Sequence, residues 1–333
     1  MPEQPPGIVN APEPGPQEVR LDAVFARQQL PNAVEQRGAS VAALAESAYG
    51  WVEGAVDRVA GAFAIHAFAP TGAEAGLASR AGLVAAELLA RLRQRRRRAA
   101  RQYLAPEQAA VSTAETKLLV QILLVSREHA WISAAIPRRL DAGGWDLSPF
   151  VAGIAAVPDD PRPPSRAYRK LEEAFLWMAA EPRPGELCVD LGAAPGGWTY
   201  AALRRGARVI AVDRAPLAAP VRGHPHLTAI EGNAFTYEPS PAQRPVDWLL
   251  SDVICEPTRA LAQIRRWLLM GWCRRLVMTI KFKGQTGYGM LDDVRATLRE
   301  AGCPAWRIKH LHHNKNEVTV LAVAPASSPP VLL

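Results

Sequence analysis

The sequence feature that most constrains the fold is the stretch Leu187-Cys-Val-Asp-Leu-Gly-Ala-Ala-Pro-Gly-Gly-Trp-Thr-Tyr200. A short apolar run ends near Asp190, a glycine-rich turn follows, and the residues from Trp198 onward predict the start of a helix. Glycines in such a strand–loop–helix unit remove Cβ atoms and permit positive φ, so a ligand can come close to the backbone. The loop on its own is also compatible with a structural turn between a strand and a helix, although a ligand-binding loop is the favoured interpretation.

The glycine spacing of this loop narrows the class of ligand. The order is not Gly-x-Gly-x-x-Gly, the fingerprint of dinucleotide binding, and no lysine follows the last glycine as it does in a P-loop. What remains is an adenosyl cofactor without a phosphate chain. The predicted contacts in the loop are Asp190, Gly192, Ala194, Pro195, Gly196, Gly197 and Trp198.

The composition limits the partners of the chain. The 333 residues carry a net charge of +7, which favours a polyanionic partner. No apolar run approaches the roughly 20 residues that span a bilayer, and the first residues lack the basic and apolar regions of a signal peptide. Four scattered cysteines suit a reducing compartment better than a disulfide framework or a zinc site. We therefore expect a cytoplasmic monomer with no membrane partner.

The first half of the chain predicts a small α+β domain over residues 21–140, after a proline-rich disordered tail over residues 1–20. Strands are predicted at Val24–Arg27, Ala62–Phe68, Leu118–Val125 and His129–Ala135, and helices at Ser40–Val59 and Leu77–Tyr103. Only residues 126–128 separate the last two strands, which predicts a hairpin. Residues 141–164 are rich in proline, glycine and aspartate and predict a linker.

The end of the second predicted helix carries seven arginines within residues 91–101. They cover most of the helix circumference, so they cannot all lie on one solvated face. Contact with RNA phosphates explains such a density, and it would make binding strongly dependent on salt. The alternative is a solvated helix end that the helix dipole favours.

Beyond residue 164 the pattern becomes a regular alternation of strands and helices. Ser165 is predicted to cap a helix that runs through Lys170 to about Ala180. Strands are predicted at Leu187–Leu191, Arg208–Asp213, Leu227–Glu231, Val246–Asp252, Leu276–Phe282, Ala305–Leu311 and Glu317–Val323, and further helices at Trp198–Arg205, Pro257–Leu269 and Gly289–Ala301. No helix separates the last two strands, so the sheet is mostly parallel and ends in an antiparallel hairpin. This α/β pattern is typical of the Rossmann-like class I methyltransferase domain.

Polar side chains fall at the carboxyl ends of five predicted strands, where an open parallel sheet binds its ligand. Asp213 is placed to accept hydrogen bonds from both hydroxyls of a cofactor ribose, and Asn233 to hydrogen-bond an adenine edge. Asp190, Asp252 and Lys281 lie at the other three strand ends. Each alone is compatible with a helix cap or a solvated strand end, but five in register favour a site.

At these positions the sequence resembles the FtsJ-like RNA ribose 2′-O-methyltransferases. The resemblance rests on Asp-Leu-Gly-Ala-Ala-Pro-Gly-Gly-Trp-Thr, Ala-Val-Asp213, Ser-Asp252-Val and Thr-Ile-Lys281-Phe. It implies S-adenosylmethionine as the cofactor, with Asp252 among its contacts. It also implies a catalytic tetrad, whose matching positions here are Lys170, Asp252, Lys281 and Glu317.

The resemblance narrows to the RlmM family, which methylates a cytidine ribose in bacterial large-subunit ribosomal RNA. Pro-Ser-Arg-x-x-x-Lys-Leu-Glu-Glu-Ala, Asp247-Trp-Leu and Glu-Val-Thr-Val carry it over residues 165–323. Phe25-Ala-Arg-Gln extends it over residues 21–140, which in the family form a THUMP-type RNA-binding domain. The implied partner is large-subunit ribosomal RNA or its precursor. The chain departs from the family at Asn233, where an acid is usual, and ahead of residue 21, where the family usually has a further small domain.

The implied reaction is in-line transfer of a methyl group to a ribose 2′-oxygen, with Lys281 as the general base. A ribose hydroxyl is a poor nucleophile and must lose its proton as it attacks. A lysine accepts that proton only as the neutral amine, a form favoured by burial beside the positive charge of Lys170. Asp252 would then orient Lys281, and Glu317 would position Lys170 or the ribose.

Other functions stay open on the residues alone. A methyltransferase acting on planar nitrogens commonly carries an Asn/Asp-Pro-Pro-aromatic turn where this chain has Asp252-Val-Ile-Cys. A methyltransferase of another RNA, or a catalytically weak RNA-binding ribosome-assembly factor, would share the fold, whereas a nicotinamide dehydrogenase fits the glycine pattern poorly. His310, His312 and His313 lack a carboxylate or cysteine at ligand spacing, so we predict a polar strand end there and no metal.

Overall fold

The computed structural model describes residues 24–59, 61–106, 116–138, 146–155, 157–284 and 287–326. Within these ranges the chain forms two compact units. The first holds the described residues from 26 to 155, and the second holds Val24, Phe25 and the described residues from 157 onward. The predicted tail over residues 1–20 and residues 141–145 of the predicted linker lie outside the described ranges.

The first unit is a five-stranded sheet with two long helices. Its strands are β1 Val34–Arg37, β2 Ala62–Phe68, β3 Tyr103–Leu104, β4 Thr116–Ser126 and β5 His129–Ala135, and its helices are α1 Val41–Arg58, α2 Leu77–Arg95 and the short α3 Arg97–Ala100. The strand order is β1-β5-β4-β2-β3. Strands β4 and β5 form the predicted antiparallel hairpin, and β2 pairs parallel with β3 and β4.

Local sequence explains how this unit is assembled. Helix α1 begins where the Ser40 side chain accepts a hydrogen bond from the backbone N–H of Ala43. The apolar residues of α1 and α2 recur at helical spacing and pack together against one face of the sheet. Fully buried members of this core include Leu44, Val52, Val84, Leu88, Val120 and Ile122.

The strand predicted at Val24–Arg27 is wrong. Val24 and Phe25 form a turn, and Val24 is buried in the core of the second unit. Its backbone carbonyl accepts a hydrogen bond from the N–H of His310, so it pairs with a loop and not with a strand of the sheet. The domain boundary predicted at residue 21 is therefore displaced by a few residues, and residues 146–155 of the predicted linker belong to the first unit.

The helix predicted over Leu77–Tyr103 is shorter than expected. It ends at Arg95, because Arg96 leaves the helical conformation at φ −134° and ψ 53°. The Arg96 side chain pairs with Glu53 and Asp57 of α1, and Tyr103 already lies in β3.

The seven arginines of this region divide into two groups. Ion pairs with α1 or α2 carboxylates engage Arg91, Arg95 and Arg96. The exposed members without an ion pair to any described residue are Arg93, Arg97, Arg98 and Arg101. Four of the guanidinium groups are thus exposed to solvent, whereas the other three form ion pairs that connect the end of α2 mainly to α1.

The second unit is a seven-stranded sheet with four helices. Its strands are β6 Leu187–Leu191, β7 Arg208–Asp213, β8 Leu227–Glu231, β9 Val246–Ser251, β10 Cys273–Lys281, β11 Ala305–Lys309 and β12 Glu317–Val323. Its helices are α4 Tyr168–Met178, α5 Gly197–Leu203, α6 Pro257–Leu269 and α7 Met290–Glu300. Every predicted strand and helix of this half is present, with ends that differ by a few residues.

The strand order β11-β12-β10-β9-β6-β7-β8 confirms the predicted class I methyltransferase fold. Strands β6 to β10 are parallel, and β12 inserts antiparallel between β10 and β11. One core lies beneath α6 and α7, and the other beneath α4 and α5. Because both faces are covered, the central strands carry consecutive buried apolar residues, as in β9, where Trp248, Leu249 and Leu250 are all buried.

The predicted cap of helix α4 is wrong. The residue before its first turn is Ala167, and no side chain caps the helix. The helix ends at Met178, close to the predicted end near Ala180. Ser165 packs against Gly197 instead, where an added Cβ would lie 2.3 Å from the serine hydroxyl. No described helix is both long and apolar enough to cross a membrane.

Two leucines on helix α4 test how far its packing stabilises the second unit. Leu171 is fully buried, whereas Leu176 on the same helix is 43% exposed. Leu171→Ala should lower the free energy of unfolding by about 2–5 kcal/mol, because it leaves a cavity under the helix. The matched Leu176→Ala should cost less than about 1 kcal/mol. Urea titration followed by tryptophan fluorescence measures both, and equal losses would contradict the assigned orientation of α4.

Candidate active site

The candidate site lies where the carboxyl ends of β9 and β10 meet the start of β12. Lys281 is the last residue of β10 and is the antiparallel partner of Glu317, the first residue of β12. Asp252 directly follows β9, the parallel neighbour of β10. Lys170 reaches the same point from the first turn of α4. The four residues of the predicted tetrad are therefore brought together by three strands and a helix.

The side chains of these four residues form one connected cluster. The Lys170 ammonium lies 3.1 and 3.0 Å from the two Asp252 carboxylate oxygens and 2.5 Å from Glu317 Oε1. Lys281 Nζ donates to the backbone carbonyl of Asp252 at 2.6 Å and lies 3.1 Å from its Oδ1. The side-chain exposures are 13% for Lys170, 15% for Asp252, 22% for Lys281 and 6% for Glu317. Two lysine and two carboxyl side chains thus share a small, largely water-excluded volume.

Lys170 is held in its charged form. Burial by itself lowers the pKa of Lys170, but the charges and hydrogen bonds of Asp252 and Glu317 outweigh it, so this pKa lies above its ordinary value. Lys170 is therefore a fixed positive charge within contact distance of the carboxylate that Lys281 also touches.

Thr279 completes the cluster and was missed by the sequence patterns. Its hydroxyl donates to Asp252 Oδ1 at 2.7 Å, and its side chain is fully buried. Thr279 lies two residues before Lys281 on β10, so both side chains point to the same face of the sheet. That spacing is the signal from which the contact could have been predicted.

Glu173 is a second residue that sequence patterns missed. Its buried carboxylate accepts hydrogen bonds from the backbone N–H groups of His312 and His313, at 2.9 and 3.1 Å. These residues belong to the loop that leads into β12 and Glu317, whereas Glu173 lies one turn after Lys170 on α4. The carboxylate therefore fastens together the two elements that carry Lys170 and Glu317.

The glycine loop after β6 passes close beneath the loop after β9. Gly192 and Gly196 have φ values of +74° and +111°, which favour glycine. A Cβ on Gly192 would lie 2.6 Å from the Cβ of Val253, the residue after Asp252. Removal of that Cβ is what allows the two loops to approach, with Ala194 and Pro195 between the two glycines.

Asp190 lies beneath this loop. Its side chain is 1% exposed, and its Oδ2 accepts a hydrogen bond from the Thr199 hydroxyl at 2.6 Å. Burial raises the pKa of Asp190 to about 7, in spite of the Thr199 hydrogen bond, which lowers it. The Asp190 carboxyl thus connects the end of β6 to helix α5.

Trp198 and Gly197 face helix α4. The Trp198 ring is buried, and its Nε1 donates to the carbonyl of Ala167 at 2.9 Å. Gly197 gives the room in which Ser165 packs. The tryptophan therefore positions the start of the helix that carries Lys170.

Asp213 and Asn233 lie at the ends of β7 and β8. The two carboxylate oxygens of Asp213 accept hydrogen bonds from the backbone N–H groups of Ala194 and Ala215, at 3.0 and 2.9 Å. Asp213 keeps lone pairs for further donors. Asn233 Oδ1 accepts from the N–H of Phe235 at 3.1 Å, which leaves its amide N–H groups able to donate. The loop, Asp213 and Asn233 therefore form a row of polar groups along the sheet edge.

The three histidines after β11 take part in hydrogen bonds that hold the loop between β11 and β12. His312 and His313 are held by Glu173 through their backbone, and His310 Nε2 lies 2.9 Å from the carbonyl of Lys315. Within the described ranges, no group of three or more His, Cys, Asp and Glu residues could hold a metal ion.

Comparison with known families assigns this half of the chain. Residues 163–283 match the model of the FtsJ-like methyltransferases. This domain has the FtsJ-like methyltransferase fold. The match includes Lys170 of helix α4, the strand ends with Asp252 and Lys281, and the glycine loop, and it supports S-adenosylmethionine as the cofactor.

Several relatives confirm the narrower resemblance to the RlmM family. Each is named ribosomal RNA large subunit methyltransferase M. The protein of Alkalilimnicola ehrlichii is 37% identical over 60% of this chain and 57% of its own length. The proteins of Xylella fastidiosa M12 and Laribacter hongkongensis are 32% and 33% identical, over 61% and 65% of this chain and 57% and 61% of their own. The matched region thus spans less than two thirds of these relatives.

Among solved structures, a ribosomal RNA methyltransferase of Plasmodium falciparum aligns over 48% of this chain and 97% of its own. The identity is 15% and the TM-score 0.37, values too low to bear on function.

The raised pKa of Asp190 predicts a pH dependence of stability. The folded value of about 7 lies above the unfolded value of about 3.9, so between these pH values the folded chain holds the extra proton and its stability falls as pH rises. Asp190→Asn cannot ionise and should remove this loss. The difference in unfolding free energy, variant minus wild type, should therefore rise between about pH 4 and pH 7 and stay flat outside that window. Urea titrations across the range measure it, and a flat difference throughout would show that Asp190 is not buried as described.

Proposed function

We propose that this protein transfers a methyl group from S-adenosylmethionine to a ribose 2′-oxygen, that of a cytidine in large-subunit ribosomal RNA. The observation that carries the proposal is the contact of the side-chain nitrogens of two lysines, Lys170 and Lys281, with one residue, Asp252. A site for transfer to nitrogen has no use for a buried lysine pair, whereas a ribose hydroxyl needs a base.

Lys281 is the base in this proposal. Lys170 is bound by two carboxylates and has a raised pKa, so it keeps its proton. Lys281 touches a single carboxylate oxygen and a neutral carbonyl, and its side chain is the most exposed of the four. As the 2′-oxygen attacks the methyl carbon and the carbon–sulfur bond breaks, the hydroxyl proton passes to Lys281 Nζ.

The other members of the cluster position the two lysines and balance their charge. Asp252 orients Lys281 through its carbonyl and carboxylate, and Thr279 fixes that carboxylate by hydrogen bonding. Glu317 and Asp252 together hold Lys170 beside the acceptor. The positive charge of Lys170 stabilises the negative charge that develops on the 2′-oxygen.

The residues along the edge of β6, β7 and β8 fit the cofactor. When bound, S-adenosylmethionine supplies an electrophilic methyl group on its sulfonium. The glycine loop from Gly192 to Gly197 would lie against it, Asp213 would accept from its ribose hydroxyls and Asn233 would donate to its adenine. Asp190 would act from beneath by holding the loop, and Asp252 would face the sulfonium.

RNA would be gripped by the first unit, which we propose is a THUMP-like RNA-binding domain. The four exposed arginines without ion pairs, Arg93, Arg97, Arg98 and Arg101, would contact phosphates. The relatives' names support large-subunit ribosomal RNA, or its precursor, as the partner. We propose that the chain acts there as a cytoplasmic monomer.

The role of Lys281 is tested by its removal. Lys281→Ala should lower the rate of methyl transfer to large-subunit ribosomal RNA by about 100-fold or more, because general-base catalysis contributes roughly 10²–10⁴-fold. The change leaves the glycine loop and Asp213 intact, so S-adenosylmethionine should bind as in wild type. Single-turnover transfer from labelled cofactor and equilibrium cofactor binding measure the two quantities.

A matched control lies at the other end of the same strand. Arg274 is exposed and near Asp247, far along β10 from Lys281. Arg274→Ala removes one positive charge and should leave the transfer rate within about twofold of wild type. Near wild-type transfer by Lys281→Ala would overturn the assignment of the base.

A further inference from the structure

An exposed aromatic cluster lies beside the proposed tetrad. The Phe25 ring is 48% exposed and stands edge-on to Tyr288, with centroids 5.2 Å apart and planes at 75°. It also lies 5.7 Å from the ring of His310. Tyr288 in turn packs on Phe282 at 4.8 Å. We call Phe25, Tyr288 and His310 the aromatic shelf.

Buried and hydrogen-bonded residues hold the shelf in place. Val24 is buried in the core, and its carbonyl accepts a hydrogen bond from the N–H of His310 at 2.8 Å. The Tyr288 hydroxyl donates to Asn316 Oδ1 at 3.0 Å. An exposed phenylalanine that follows the anchored Val24 and packs on Tyr288 has little conformational freedom to lose when a ligand binds it.

Hydrogen bonds connect the shelf to the tetrad. Phe282 follows Lys281, and Asn316 precedes Glu317. The N–H of Phe282 donates to the carbonyl of Asn316, and the Asn316 amide donates back to the carbonyl of Phe282, each at 2.9 Å. Phe282 and Asn316, which both contact Tyr288 of the shelf, are therefore each one residue from the tetrad.

The surroundings of the shelf are polar and positively charged. Lys315 is exposed, and its carbonyl meets His310 Nε2. Lys283, which directly follows Phe282, is also exposed and pairs with Glu256. An exposed aromatic ring near lysines suits a ligand with a flat π face and a negative backbone. An unpaired nucleotide has both, and stacking of its base on aromatic side chains is how proteins bind single-stranded RNA.

We propose that the aromatic shelf stacks an unpaired base next to the nucleotide whose ribose is methylated. The inference rests on the proposed function, because that function places RNA at the tetrad. Phe25 supplies the stacking surface, Tyr288 and His310 fix its edges, and the stacked base sets which 2′-oxygen reaches Lys281. Because every base has a π face, the shelf positions the strand and does not read its sequence.

The test uses the full chain and a single-stranded ribo-oligonucleotide of about 12 nucleotides, with 2-aminopurine placed at each position in turn. No cofactor is present, so binding is read without transfer. Wild type should quench the fluorescence at one or two positions, since stacking on an aromatic ring quenches 2-aminopurine. Phe25→Ala should abolish that quenching and weaken binding about tenfold. Phe25→Trp should restore both.

A matched control removes exposed apolar surface elsewhere. Met270 is 39% exposed at the end of α6, at the opposite edge of the sheet from the tetrad. Met270→Ala should bind and quench as wild type does, and circular dichroism melting should show that Phe25→Ala and Met270→Ala remain folded.

The outcomes separate this proposal from the proposed function. Unchanged quenching and affinity in Phe25→Ala, or no quenching by wild type at any position, would overturn the shelf whatever the chemistry of the tetrad. Loss of quenching and of affinity in Phe25→Ala supports the shelf, whatever the activity of Lys281→Ala. Normal methyl transfer by Lys281→Ala would overturn only the assignment of Lys281 as the base.

Discussion

The side-chain nitrogens of two lysines meet at one aspartate, and the rest of the second unit is arranged to make that contact possible. Asp252 offers a carboxylate to Lys170 and both a carboxylate oxygen and a main-chain carbonyl to Lys281. The positive charge of Lys170 in this largely dry site is stable only if negative groups compensate it. Glu317 is the second compensating group, and without it Lys170 would carry an excess positive charge into the cluster.

The fold makes this arrangement through simple geometric rules. Parallel strands end at the same edge, so Asp252 and Lys281 become neighbours once β9 and β10 pair. The antiparallel insertion of β12 sets Glu317 opposite Lys281. Gly192 allows the loop after β6 to approach the loop that carries Asp252, and Glu173 connects α4 to the segment before β12. The cluster is thus built by backbone register, with few flexible parts.

Much of the second unit could be predicted from the sequence, because short-range sequence patterns determine its strands, helices and turns. The strand ending at Asp190, the glycines after it and the apolar helix Pro257–Leu269 follow from period and turn chemistry, and the tetrad follows from motif resemblance. The start of α4 was missed because Ser165, a good capping residue, packs on Gly197 instead. The strand predicted at Val24–Arg27 was wrong because a short apolar run does not reveal which core buries it.

Side-chain partners between distant elements were beyond sequence reasoning. Glu173 in a helix reads as a solvated charge, and only the fold shows that it accepts two backbone N–H groups of a loop about 140 residues away. The arginines of residues 91–101 divided into paired and free groups only when α1 was placed beside α2. The THUMP-like nature of the first unit and the individual roles of the cofactor contacts stay predictions.

The most direct test of the central claim, ribose methylation by the Lys170–Asp252–Lys281–Glu317 cluster, is a map of 2′-O-methylation across large-subunit ribosomal RNA. The RNA is taken from cells with and without this protein. We expect one cytidine to lose its 2′-O-methyl group when the protein is absent, while every other modification is unchanged. Identical maps would contradict the claim, and a lost methyl group on a base nitrogen would contradict the choice of oxygen.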